Sequence, residues 1–267
     1  MNILQAILLG LVQGFAEMLP ISSSAHLVLL PWLFRFSDPG LAFDVALHVG
    51  TLAALVGYFW REWLDIAVSL IKLARERVVT SRSQKLAGLL LIASIPGAIF
   101  GVLLGSYAES VFRNPLLVAS ALVVMGSLLW YADHHDKGAK NIDKLTTLDS
   151  AKIGLAQAVA IIPGVSRSGA TMTTGLFLGI DRSDAAKFSF MMSAPIIAGA
   201  ALVKLKDLAP DMLASLNFWV AMAAALVSSL LAIHFLLQFV RKHHFDVFVY
   251  YRFILAGVVL IVYLMRG

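Results

Sequence analysis

The chain has 267 residues, of which 60% are hydrophobic and 14% charged, with a mean hydropathy of +0.85. Charged residues make up about a quarter of a soluble chain, so this composition excludes a water-soluble enzyme, a nucleic-acid-binding domain and a disordered tail. It indicates a polytopic membrane protein, whose basic loops account for the net charge of +5 without a nucleic-acid partner. The absence of cysteine excludes disulfides, a catalytic thiolate and Cys-ligated metals.

Two apolar segments, 3–34 and 153–180, are each interrupted near the middle by proline and a cluster of serines. At membrane depth the backbone can leave the helix only where protein or a water-filled cavity satisfies its polar groups. We therefore interpret both segments as re-entrant, broken-helix hairpins that mark a functional site.

Six other segments are apolar and long enough to cross ~30 Å of hydrocarbon as helices. We predict spans at 41–60, 86–104, 115–132, 185–203, 213–237 and 247–265. The stretch 61–85 mixes apolar residues with Lys72, Arg75 and Arg77, which predicts an amphipathic helix at the membrane interface. The predicted fold class is thus an all-α polytopic membrane protein.

The basic residues are distributed unevenly between the two sides of this topology. If each hairpin returns to the side from which it enters, fifteen of the twenty-one Lys and Arg, including Arg252, lie in loops on one side. The positive-inside rule places that side in the cytoplasm. Both termini are then expected outside, and Arg167 lies within the second hairpin.

The two hairpins resemble each other at an offset of 144 residues. Each is followed by three spans, an odd number, so the second half is inserted upside down relative to the first. This predicts an inverted-topology repeat, with 1–140 and 141–267 as its halves within one structural domain, and with the serine loops converging near the midplane. The matching pairs are Gly10/Gly154, Leu11/Leu155, Gln13/Gln157, Ala16/Ala160, Ser22/Ser166 and Ser24/Ser168.

The first hairpin carries Gln13 and Glu17 one helical turn apart. A carboxylate at bilayer depth costs at least ~2.5 kcal/mol, so it needs a partner, an ion or a reaction. Pro20 ends this helix, and Ser22, Ser23, Ser24 and His26 follow. A purely structural interpretation also stands: Glu17 as an interhelical hydrogen-bond acceptor, and the serines as small packing residues.

The second hairpin carries one guanidinium, Arg167, among small and hydroxyl residues. An arginine fork matches phosphate, and amides at the start of a helix add to such a site, although a snorkelling arginine is the alternative. Combined with the carboxylate and serines, this set suits phosphoryl transfer to water, with Mg²⁺ or Ca²⁺ held partly by Glu17 and partly by substrate phosphates. The candidate phosphate contacts here are Gly164, Ser166, Arg167, Ser168 and Thr171.

Several motifs together resemble one known family. They are Gln13 with Glu17, LPISSSAHL at 19–27, PGVSRSGAT at 163–171, FDVALHVGT at 43–51 and DRSDAAKFSFMMSAP at 181–195. Over essentially its whole length the chain resembles the undecaprenyl-diphosphate phosphatase family, whose overproduction is associated with bacitracin resistance. The resemblance implies a homodimeric enzyme of the bacterial plasma membrane. It would remove one phosphate from the C55 isoprenyl diphosphate, regenerating the lipid carrier for peptidoglycan precursors.

The resemblance also implies roles for individual residues. Ser23 becomes the favoured nucleophile, Glu17 and His26 activating or metal-associated groups, and Arg167 the phosphate ligand. Gln13 is Glu in part of the family, which puts metal ligation at that position in doubt. Ser23 and His26 both remain open as the nucleophile, since either can form a phospho-enzyme. The secondary contacts are Gln13, Ser22, Ser24, Gly164, Ser166, Ser168 and Thr171.

Other histidines have weaker patterns. Asp44 and His48, one turn apart at the start of a span, either line the cavity, pack in the core or cap the helix. His134, His135, His243 and His244 lack ligand spacing and are expected to be solvated loop residues.

The first hairpin enters from outside, so the catalytic cavity is expected to open to the outer face. A transporter or flippase of a phosphorylated prenyl lipid is the alternative, because inverted repeats with broken helices are transporter architecture. A lipid phosphatase of the acid-phosphatase type is less consistent, because it needs a second catalytic histidine near the arginine.

Overall fold

The computed structural model describes residues 2–76, 81–109, 111–135, 138, 140–204 and 210–266. Within these residues the secondary structure is helical, with no strand, which confirms the all-α class. Short 3-10 turns lie at Val111–Arg113 and Ile142–Lys144. The α-helices are α1 (Ile3–Met18), α2 (Ser23–Phe34), α3 (Leu41–Tyr58), α4 (Trp60–Glu76), α5 (Arg82–Glu109), α6 (Pro115–His135), α7 (Thr147–Val159), α8 (Arg167–Phe177), α9 (Arg182–Lys204), α10 (Pro210–Ala214), α11 (Leu216–Phe239) and α12 (Asp246–Arg266).

Five of the described helices are long and apolar enough to cross a membrane by themselves: α5, α6, α9, α11 and α12. They coincide with five of the six predicted spans. The sixth prediction, 41–60, falls on α3, which qualifies only together with α4 across a bend of 83°. The chain is thus a multi-pass membrane protein with five or six apolar spans among its described residues.

The bend separates α4 from α3, and α4 is the amphipathic helix that the sequence predicted. Ile66 packs into an apolar cluster with residues of α5 and α9, whereas Trp60, Leu64 and Val68, spaced four residues apart, are exposed. Lys187 of α9 forms an ion pair with Glu62 at 2.8 Å and fixes the start of α4. The location of α4 at the membrane interface stays a prediction.

Both apolar hairpins are broken where the sequence predicted, and the two breaks have the same local structure. Ser22 and Ser166, 144 residues apart, have φ values of +73° and +70°, which is uncommon for residues other than glycine. Each begins a helix by accepting a hydrogen bond on Oγ, from the amide of Ala25 at 3.3 Å and of Gly169 at 3.0 Å. This correspondence supports the predicted repeat, whereas its inverted topology and the boundary near residue 140 stay predictions.

The first helix of each hairpin packs closely against a long helix through a glycine. A Cβ built on Gly10 of α1 would lie 2.2 Å from the carbonyl oxygen of Ala221 in α11, and one on Gly154 of α7 would lie 2.5 Å from that of Ala93 in α5. Small residues permit such close approach between membrane helices. The two hairpins are therefore held by α11 and α5, in opposite halves of the chain.

Gly10→Ala is expected to destabilise the protein by about 1–3 kcal/mol, because the added methyl group forces α1 away from α11. The measurement is the midpoint of thermal unfolding in detergent. Gly57→Ala in α3 is the matched control, since a Cβ there meets nothing within 4 Å. Equal midpoints for the two variants would contradict this account of the α1–α11 contact.

The histidines near the ends of α6 and α12 differ from the prediction. His134 and His135 lie in the last turn of α6, and the ring of His134 stacks on His244 at 4.8 Å. Buried Asp133 accepts hydrogen bonds from Arg182, from Nδ1 of His244 at 3.1 Å and from an amide. All four histidines are exposed, as predicted. The prediction is wrong in placing His134 and His135 in a loop and in giving His134 and His244 no partners, because packing places the end of α6 beside the loop before α12.

Candidate active site

The two serine loops converge inside the protein and bind each other directly. The amide of Gly164 donates to Ser22 Oγ at 3.1 Å, and Ser168 Oγ donates to the carbonyl of Leu19 at 3.0 Å. Segments about 144 residues apart in sequence thus share one site, as the repeat predicted.

Arg252 of α12 lies beneath both loops and is fully buried. Its guanidinium donates to the carbonyls of Pro20 at 3.0 Å, Gly164 at 2.7 Å, Val165 at 2.9 Å and Leu122 at 3.2 Å. Its assignment to a cytoplasmic loop is wrong, because packing turns this face of α12 inward. The sequence did hold one signal, since Arg252 lies inside the predicted span 247–265, where a charge indicates a specific role.

Glu17, buried at 6% exposure, is the centre of the polar contacts. Its Oε2 accepts hydrogen bonds from Ser23 Oγ at 2.5 Å, Gln13 Nε2 at 3.1 Å and His48 Nε2 at 3.1 Å. Its Oε1 accepts from Arg167 Nη2 at 2.5 Å. Four donors from four separate parts of the chain therefore offset the desolvation of this carboxylate.

These groups surround a cavity of about 100 Å³. Its size matches a phosphate group and not a lipid chain, so a prenyl tail would have to lie outside it. Of the predicted site residues, six line the cavity: Glu17, Ser23, Ser24, Ser166, Arg167 and Ser168.

The other predicted site residues support the cavity from behind. Gln13 is fully buried next to Glu17. Ser22 and Gly164 form the contact between the loops. Thr171 Oγ1 lies 2.7 Å from Ser189 Oγ and donates to the Arg167 carbonyl at 2.8 Å, which steadies the start of α8.

His26 is also outside the cavity lining. Its Nδ1 lies 2.6 Å from the Ser22 carbonyl and its Nε2 lies 2.6 Å from the Tyr251 hydroxyl, while the two rings stack. A carbonyl only accepts, so Nδ1 carries a hydrogen and Nε2 accepts from Tyr251. Because both ring nitrogens are hydrogen-bonded, His26 is placed to hold the backbone turn at Ser22. This geometry favours Ser23 over His26 as the nucleophile.

His48 contributes to the site although its sequence pattern left its role open. Its ring lines the cavity, and Nε2 faces Glu17. The structure therefore favours the cavity over the core for this residue. The one-turn spacing from Asp44 was the available signal, but it could not show which face of α3 points to the hairpins.

Two residues of the site carry oxygen atoms that could bind the predicted divalent cation. Of the described residues that line the cavity, only Glu17 carries a carboxylate. Beside it, Oε1 of Gln13 is buried without a hydrogen-bond partner. A carboxylate and an amide carbonyl are ligands that Mg²⁺ and Ca²⁺ accept, so the chemistry of these two residues fits a cation. Such a cation would displace a donor from Glu17 and take its remaining ligands from phosphate and water.

The family description "Bacitracin resistance protein BacA" matches residues 6–258 of the chain. The chain belongs to the BacA family. Among its relatives, the undecaprenyl-diphosphatase of Moorella thermoacetica is 52% identical over 266 residues, covering 100% of both chains. That of Gemmatimonas aurantiaca is 49% identical over 97% of each chain, and that of Caldicellulosiruptor bescii 48% over 100% of each. The resemblance inferred from the motifs is confirmed.

In this BacA family member, the serine loops that carry the motifs at 19–27 and 163–171 are the segments that enclose the cavity. The motif at 43–51 provides His48, and the motif at 181–195 provides Ser189. Together with the motif of Gln13 and Glu17, all five motifs of the resemblance therefore meet around Glu17 and Arg167.

Proposed function

We propose that this chain hydrolyses undecaprenyl diphosphate to undecaprenyl phosphate and inorganic phosphate, and so regenerates the lipid carrier for cell-wall synthesis. The names of its full-length relatives support this function. The observation that carries it is the contact of Ser23 Oγ with Glu17 Oε2 at 2.5 Å, with Arg167 on the other carboxylate oxygen.

In the first step, Ser23 Oγ attacks the terminal phosphorus of the diphosphate. Its proton passes to Glu17 Oε2, a bond forms between Oγ and phosphorus, and the bond to the bridging oxygen breaks to release undecaprenyl phosphate. Protonation weakens the hold of Glu17 on Arg167. The guanidinium then becomes available to the phosphoryl oxygens as charge shifts toward the leaving group.

In the second step, a water molecule attacks the phosphoserine and the bond between Oγ and phosphorus breaks. Glu17 returns its proton to Ser23, and inorganic phosphate leaves with the elements of water. Hydroxyl groups on both loops, from Ser24, Ser166 and Ser168, line the cavity where the phosphoryl oxygens would lie. Ser24 and Ser166 can donate hydrogen bonds to these oxygens, whereas Ser168 Oγ already donates its hydrogen to the Leu19 carbonyl.

The proposal includes a divalent cation, Mg²⁺ or Ca²⁺. Glu17 and Gln13 are the residues that would hold it, and it would neutralise charge on the diphosphate. EDTA is expected to suppress phosphate release by the purified protein, and added Mg²⁺ or Ca²⁺ to restore it. Full activity in EDTA would remove the cation from the proposal.

The function is tested with purified protein, undecaprenyl diphosphate in detergent or liposomes, and a measurement of released phosphate. Release by the wild type and none by Ser23→Ala is the expected result. Movement of the lipid between leaflets without phosphate release would instead support the flippase alternative.

We further propose a bacterial plasma-membrane location, with both termini and the mouth of the cavity on the outer face. The chain has no cysteine, so a cysteine introduced by a single substitution is the one position in it that a maleimide can label. In intact cells an impermeant maleimide is expected to label Ser37→Cys, before α3, and not Ser81→Cys, before α5; both positions are exposed. The reverse pattern would overturn the orientation.

The homodimer implied by the resemblance is tested by the mass of the particle in nanodiscs.

Arg167→Lys is expected to lower kcat/KM for undecaprenyl diphosphate by about 10²–10³-fold, because lysine keeps the charge but loses the planar fork. Phosphate release measures this effect. Arg61→Lys, at an exposed position of α4, is the matched control and should behave like the wild type. An unchanged kcat/KM in Arg167→Lys would mean that only the charge of Arg167 matters.

A further inference from the structure

His48 brings a donor from α3 to the carboxylate that the proposed mechanism uses as a base. Its side chain is 23% exposed, and it lines the cavity together with Ser23 and Arg167. Through Nε2 it contacts Glu17 Oε2, the oxygen that also binds Ser23.

The hydrogen positions on this ring follow from its partners. Nδ1 lies 2.7 Å from the main-chain carbonyl of Asp44, which can only accept, so Nδ1 carries a hydrogen. Nε2 lies 3.1 Å from Glu17 Oε2, which also accepts from Ser23 and Gln13. A hydrogen must therefore lie between Nε2 and Oε2 for this contact to be attractive.

A competing arrangement of Glu17 explains why that contact matters. An arginine fork and a carboxylate prefer two parallel hydrogen bonds, and the terminal torsion of a glutamate is soft. Arg167 binds only Oε1 of Glu17, while Gln13 and His48 hold Oε2 on the side of Ser23. Without a donor at position 48, the carboxylate can rotate toward Arg167 and withdraw Oε2 from the nucleophile.

The position of His48 is itself fixed from the N-terminal end of α3. The carboxylate of Asp44, whose carbonyl binds the ring, pairs with Arg113 at 3.2 Å, and Arg113 also pairs with Asp38 at 2.6 Å. These ion pairs anchor the first turn of α3 to the segment between α5 and α6. The imidazole is thus held at both nitrogens, as a positioning group requires.

We propose that His48 is a positioning residue that holds Oε2 of Glu17 toward Ser23 and prevents Arg167 from binding both carboxylate oxygens. The inference rests on the proposed phosphatase function. It assigns to α3 the task of limiting the contact between Glu17 and Arg167 to one carboxylate oxygen before substrate arrives.

The test compares two replacements in the purified full-length protein with undecaprenyl diphosphate as substrate. His48→Leu keeps a side chain of similar bulk without a donor and is expected to lower kcat at least about tenfold, with KM changed by no more than about threefold. His48→Gln restores an N–H donor and is expected to stay within about threefold of the wild-type kcat. His234→Leu, at an exposed position of α11, is the control for loss of a histidine.

Equal kcat values for His48→Leu and His48→Gln would overturn the proposal, because packing alone would then account for the residue. Thermal unfolding and size-exclusion profiles establish that the variants are folded. If His48→Leu does not fold, His48→Ala carries the same expectation. Absence of phosphate release by the wild type would refute the proposed function, an outcome distinct from equality of the variants.

A second test isolates the competition with Arg167. Lysine cannot bind a carboxylate as a fork, so in an Arg167→Lys background the loss caused by His48→Leu is expected to shrink to about threefold or less. The same fold loss in both backgrounds would overturn the proposal, because the effect of His48 would then not depend on the fork of Arg167.

Discussion

Ser23→Ala is expected to lower phosphate release from undecaprenyl diphosphate at least about a thousand-fold, the scale seen when an enzyme loses its nucleophile. The replacement removes the hydroxyl whose oxygen lies 2.5 Å from Glu17 Oε2, and nothing else at that position can attack phosphorus. Initial rates of phosphate release, with radiolabelled terminal phosphate for the slow variant, measure the effect.

Two variants sharpen the result. Ser24→Ala removes a hydroxyl from the same cavity without removing the attacking atom, and a loss of about tenfold is expected for one hydrogen bond. His26→Gln tests the alternative nucleophile. If Ser23→Ala stayed active while His26→Gln lost all activity, the nucleophile would be His26 and its contact with Tyr251 would have to open during turnover.

Arg252→Met is expected to destabilise the protein by about 3 kcal/mol or more, because it leaves four buried carbonyls without their charged donor. Methionine fills much of the same space, so the effect is not that of a cavity. Activity is expected to fall as well, since the same guanidinium holds Pro20 and Gly164 on the two serine loops. The measurements are the midpoint of thermal unfolding in detergent and phosphate release by the folded fraction.

The matched control lies on the same helix. Arg266→Met removes an arginine that also donates to main-chain carbonyls, those of Trp32 and Leu33, but at an exposed position. It is expected to leave the unfolding midpoint within a few degrees of the wild type. If Arg252→Met were as stable as Arg266→Met, the buried guanidinium would not be what holds the two serine loops together. Arg252→Lys should be intermediate, because one ammonium cannot reach all four carbonyls.

Local patterns in the sequence were sufficient for the helices and for the core of the site. Continuous apolar runs identified the five helices that are long and apolar enough to cross a membrane by themselves. Proline together with serine clusters identified the breaks at Ser22 and Ser166. Glu17 and Arg167 stood out because a charge within an apolar segment is costly. The structure pairs these two residues directly, so the strongest anomalies in the sequence mark the centre of the cavity.

Residues whose importance depends on orientation were missed or left open. The residues around Arg252 do not distinguish it from an arginine at the end of a span. Only the packing of α12 against both loops shows that it is buried. His48 looked equally suited to the core or the cavity until α3 was placed beside α1. The pairing of His134 with His244 joins residues 110 positions apart, which no local pattern records.

The sequence by itself therefore determined the membrane environment, the helical segments, the two breaks and the family. It did so because hydropathy, proline and serine clusters act over a few helical turns. Only the tertiary structure decided which donors surround Glu17, which histidine lines the cavity and which arginine supports the loops. Those choices depend on how each helix is rotated about its axis, and that rotation is set by close contacts such as Gly10 on Ala221, between residues far apart in the chain.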